Sequence, residues 1–78
     1  MYKTATDTLL YAYINNDSDW NLIERYFEGE EYLDTYIILT YALTIKELKN
    51  FGFSRYFTDL IQYAYDNNHE LIRCVYAN

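Results

Sequence analysis

The chain has no proline, only two glycines (Gly29 and Gly52), one histidine and one cysteine in 78 residues. So few breakers leave no flexible or low-complexity linker, and the length is close to the minimum for one core, so residues 1–78 read as a single domain. A lone Cys74 cannot form an intramolecular disulfide, which fits a reducing compartment and a cytoplasmic expectation. The run Leu9–Ile14 is too short for a secretion signal and follows Asp7. No stretch approaches the roughly eighteen apolar residues of a membrane span. Bases are scarce too: six Lys and Arg face twelve Asp and Glu, a formal charge of −6, which argues against direct nucleic-acid binding through phosphates.

The same scarcity limits the chemistry. One Cys and one His cannot build a zinc site. Asp17-x-Asp19 has the opening of a calcium loop without its glycine or closing Glu. No glycine-rich phosphate loop occurs. Cys74 and His69 lie five residues apart on what reads as one helix, facing different ways, so Cys74 reads as a core or interface thiol. No cofactor, no metal and no catalytic activity are expected.

What is abundant is aromatic and apolar: eleven Tyr, four Phe, and half the chain hydrophobic. The stretch Glu31 to Asn50 contains YIILTYAL, apolar nearly all round, and reads as a helix buried among others. Around it the expectation is an all-α bundle of five to six short helices. A first helix starts at Thr6 or Asp7 and runs to about Asn15. A second, Asp19–Glu28, carries Trp20, Ile23 and Phe27 on one stripe and ends at Gly29. Thr44-x-x-Glu47 has the form of a capping box before a short helix, Ile45–Asn50, stopped by Gly52. Ser54 caps a helix with Phe57, Leu60, Ile61 and Ala64 on its inner face, Asn67-Asn68 turns it, and His69–Tyr76 forms the last. The alternative is α+β, with a short strand at 36–40 or at 70–76, because short apolar runs do not separate the two by period. Tyr11-Ala12-Tyr13-Ile14-Asn15-Asn16 is echoed by Tyr63-Ala64-Tyr65-Asp66-Asn67-Asn68. Both read as helix, Asn-Asn turn, helix, and so look like the hairpin of ankyrin-type repeats without that family's opening motif or period.

Charge is unevenly placed. Asp7 to Asp34 holds eight acids against Arg25 alone, whereas four acids meet four bases from Thr35 onward. Helix starts account for Asp17, Asp19, Glu30 and Glu31, each worth about 0.3–1 kcal/mol against the dipole. They do not account for Glu24–Glu28 or Glu30–Asp34, like charges at helical i, i+4 spacing that cost roughly 0.2–0.5 kcal/mol per pair. Side by side on two helices, these acids approach one charge per about 2 Å, near the roughly 1.7 Å of duplex DNA. The expected partner-binding residues are therefore Asp17, Asp19, Glu24, Glu28, Glu30, Glu31 and Asp34, with Tyr26 and Tyr32 adding contact area.

In size, acidity, tyrosine content and lack of catalytic groups, the chain resembles the small anti-restriction and anti-CRISPR proteins of phages and mobile elements, several of which are DNA mimics. That resemblance implies a cytoplasmic inhibitor filling the basic groove of a nucleic-acid-binding protein, such as a CRISPR effector or restriction enzyme. The alternative is a small adaptor or regulatory subunit whose important surface is tyrosine-rich, because eleven Tyr exceed what one small core can hide. A homodimer burying the surplus tyrosines is a further reading.

Overall fold

The structure is a computed structural model that describes residues 9–27, 30–32 and 35–77. In chain order its elements are strand β1 (Leu9–Ile14), helix α1 (Asp17–Tyr26), strands β2 (Glu30–Tyr32) and β3 (Thr35–Leu39), a 3-10 turn (Thr40–Ala42), helices α2 (Ile45–Phe51) and α3 (Arg55–Asp66), and strand β4 (Leu71–Tyr76). The strands form one mixed sheet in the order β1-β4-β3-β2. β1 runs parallel to β4, while β4–β3 and β3–β2 are antiparallel.

The all-α expectation is therefore overturned: the protein is α+β. The stretch expected as a first helix to Asn15 is β1. The expected central helix is instead β2, β3 and a 3-10 turn. The expected last helix is β4, so strands occupy both places where the α+β alternative put one. Alternation explains each. In β1, Ala12 and Ile14 are buried while Tyr11 and Tyr13 are exposed; in β3, Tyr36 and Ile38 are buried, and in β4, Ile72 and Cys74. A period of two places every second residue on one face, which a helix over the same residues cannot do. The two Tyr-Ala-Tyr copies part company here. Residues 11–13 are strand and residues 63–65 are helix, so the apparent repeat of helical hairpins does not exist.

The helices follow their local signals more closely. Asn16 caps α1, its side-chain oxygen accepting from the backbone N–H of Ser18 at 2.8 Å and of Asp19 at 3.2 Å. α2 begins with the full capping box of Thr44 and Glu47 and ends at Gly52, whose φ of 99° lies in the left-handed region that glycine adopts without a Cβ penalty. Ser54 caps α3, and the chain leaves it through Asn67 and Asn68, the latter at φ 60°.

One core joins the layers. Ile23 and Phe27 from the α1 segment, Leu48 from α2, and Phe57, Ile61 and Ala64 from α3 cluster with the inner sheet residues Ala12, Ile14, Tyr36, Ile38, Ile72 and Cys74. Phe27, Phe53 and Phe57 meet as an aromatic centre, with Phe53 stacked on Phe57 at 4.6 Å between ring centroids. Each fully buried side chain of this size contributes about 1.5–3 kcal/mol. All of this packing lies on one side of the sheet.

Candidate partner-binding face

Of the acids expected to share one surface, the structure describes the side chains of Asp17, Asp19 and Glu24. Asp17, the first residue of α1, accepts a hydrogen bond from the Tyr76 hydroxyl at 2.5 Å. Asp19 is only 1% exposed. Its carboxylate accepts from the Ser54 backbone N–H at 2.9 Å and from the Ser54 hydroxyl at 2.5 Å, tying α1 to the start of α3. Glu24 is exposed on α1, and Tyr26 stacks on Phe51 with ring centroids 4.0 Å apart. Glu30, Glu31 and Tyr32 belong to β2, paired in register with Ile37, Tyr36 and Thr35, so these three stand on a strand and not on the expected helix. Glu28 and Asp34 lie outside the described residues.

The structure displays a different surface. Opposite the helices, three cross-strand rows face outward. Leu9, Leu71 and Leu39 form the first; Tyr11, Arg73 and Ile37 the second; Tyr13, Val75 and Thr35 the third. None of the apolar members belongs to the core cluster or packs against it. Tyr11 is 58% exposed, Tyr13 63% and Leu39 55%. An antiparallel sheet with one face in water ordinarily shows polar residues there. Across β1, β4 and β3 this face shows seven apolar residues, a threonine and a single cation, and the register carries the second row on to Glu30 and the third to Tyr32 of β2.

Arg73 occupies the middle of that face, on a central strand. Its guanidinium carbon lies 5.4 Å from the centroid of the Tyr11 ring, within the range of a cation–π contact. The side chain is half-buried, and its Nε is enclosed and has no hydrogen-bond partner. At the outer edge of β1, the Tyr56 hydroxyl from α3 donates to the Tyr13 carbonyl at 3.1 Å. Sequence reasoning missed this face because it took β1, β3 and β4 for helices; the surplus of tyrosine was its visible trace.

Two other features have less to offer a ligand. A groove of about 540 Å³ between α2 and α3 is lined by Lys49, Phe53, Arg55, Thr58 and Asp59. Its Arg55 already meets Asp59 at 3.8 Å, and the neighbouring start of α3 is filled by the Asp19 carboxylate. Cys74 faces the core, where burial pushes its thiol up to about 12, so it has little nucleophilic character near neutrality. Among the described residues no cluster of His, Cys, Asp and Glu could hold a metal ion, and no helix is long and apolar enough to cross a membrane. The chain matches no protein-family model, no curated protein and no solved structure, so the functional reading rests on this geometry.

Proposed function

We propose that this chain is a non-catalytic binding module that holds a partner protein on the outward face of its sheet. The observation behind this reading is the run of exposed tyrosine and aliphatic side chains on β1, β4 and β3, uncovered by any described element. Contiguous apolar surface of this kind on a small domain marks interaction sites more often than chance exposure does. Tyrosine suits the task, since it brings a large rigid contact area with a polar tip and loses little rotamer freedom. The anti-defence, DNA-mimicking reading has less to stand on: Asp19 is inside the fold and Asp17 is engaged by Tyr76.

The test is co-purification from the cells that express the chain, comparing the wild type with a Tyr11→Ser/Tyr13→Ser variant, each washed with rising salt. A partner that stays with the wild type through high salt and is lost from the variant supports the proposal, because apolar burial is nearly salt-insensitive. A partner that holds both proteins equally and elutes as salt rises would place binding on the acidic surface instead.

A further inference from the structure

We infer that the partner of the open face is a protein segment that seats a carboxylate over Arg73 and lays apolar side chains on the leucine and tyrosine rows beside it. This rests on the reading of that face as the binding surface. Arg73 is the reason for going further. A cation in the middle of an apolar patch is partly desolvated, and among the described residues no carboxylate pairs with it. Its Nε finds no acceptor within the fold. The planar fork of the guanidinium lies over the Tyr11 ring, and Ile37 is the register neighbour of Arg73 on β3. A carboxylate is the acceptor whose geometry matches that fork through two parallel hydrogen bonds.

The size of the face favours a segment over a domain. Strands of five or six residues and a width of three strands make a patch roughly 20 Å by about 15 Å, on the order of 300 Å². A stable dimer needs about 800 Å² from each partner. A second copy stacked face to face about a two-fold through the patch would also bring Arg73 against its own symmetry mate, in molecules that each carry a charge of −6. The same net charge, with one cation on the face, opposes a nucleic-acid strand stacking on Tyr11 and Tyr13. One strand or helix carrying an Asp or Glu between apolar residues meets every condition.

The test is selection of a random-peptide library on the intact protein, with binders measured against wild type, Arg73→Gln, Arg73→Lys and Tyr11→Ser/Tyr13→Ser. Variants are matched by thermal melting before use. The expected binders carry an Asp or Glu flanked by apolar residues and are lost on the tyrosine double variant. Changing that acid to its amide, or Arg73 to Gln, weakens binding about tenfold or more; both together weaken it no further, and Arg73→Lys restores only part. The peptide-side change needs no altered protein, so the result does not hang on the folding of Arg73→Gln. Face-dependent binders with no acid, and indifferent to Arg73→Gln, overturn this inference and leave the binding face standing. Binders that ignore the tyrosine variant overturn both. Self-association through the face, or tighter binding of a single-stranded oligonucleotide there, also overturns the inference.

Discussion

Asp19 uses its charge inside the molecule. With both carboxylate oxygens committed to Ser54, it supplies α3 with a second cap from a different helix. Removing it leaves the part-buried N–H and hydroxyl of Ser54 without that acceptor, so Asp19→Ala should cost about 2–3 kcal/mol, and Asp19→Asn, which keeps one acceptor, less. Exposed Glu24→Ala should stay within about 0.5 kcal/mol of wild type. Urea unfolding followed by Trp20 fluorescence checks all three, since Trp20 packs 5.3 Å from the Tyr76 ring and reports the α1–β4 contact. Cys74 adds a pH dependence. Its thiol ionises near 9 when unfolded and near 12 in the fold, so above pH 9 the unfolded state releases the proton first and the folded state is disfavoured. The contribution is complete below pH 9 and declines by up to about 1.4 kcal/mol per pH unit above it. The stability difference between wild type and Cys74→Ala should therefore shrink from pH 9 upward, while thiol reagents at pH 8 should label Cys74 only in denaturant.

At the scale of elements, the helices were legible and the strands were not, for one physical cause. α2 and α3 announce themselves through Thr44, Glu47, Gly52 and Ser54, short-range devices that act whatever the rest of the chain does. Thr44→Ala should cost about 1 kcal/mol through loss of the cap, and Gly52→Ala a similar amount at its positive φ, both readable as shifts in urea midpoint. A half-buried strand is recognised by apolar residues alternating with polar ones. In β1 the residues flanking Ala12 are Tyr11 and Tyr13, and in β3 Ile37 and Leu39 flank Ile38, so the alternation is real in burial and invisible in polarity. The apolar outward face that makes a candidate binding site is what disguised its own strands. Tyr-Ala-Tyr at 11–13 and at 63–65 makes the same point: the tripeptide has no fixed preference, and what it packs against decides. The acidic face was drawn on helices, and Glu30 and Glu31 stand instead on the extended strand β2.

For the molecule as a whole, two layers enclose one core, and no described element covers the far side of the sheet. Replacing Tyr11 and Tyr13 by serine should change the melting temperature little, because neither ring belongs to the core, yet sharply reduce binding of a hydrophobic dye such as bis-ANS. Amide exchange should give the complementary picture. β4, hydrogen-bonded on both sides by β1 and β3, should exchange only through global unfolding, and β1 should open more readily from its outer edge. β4 is also the last of the described elements to be synthesised, although it lies between strands made much earlier. On the ribosome, β1 and the β4-facing edge of β3 therefore wait unpaired, each strand presenting apolar residues on both faces, until Leu71–Tyr76 emerges to bridge them. Exit of Leu71–Tyr76 from the ribosomal tunnel is thus the step that closes both edges at once.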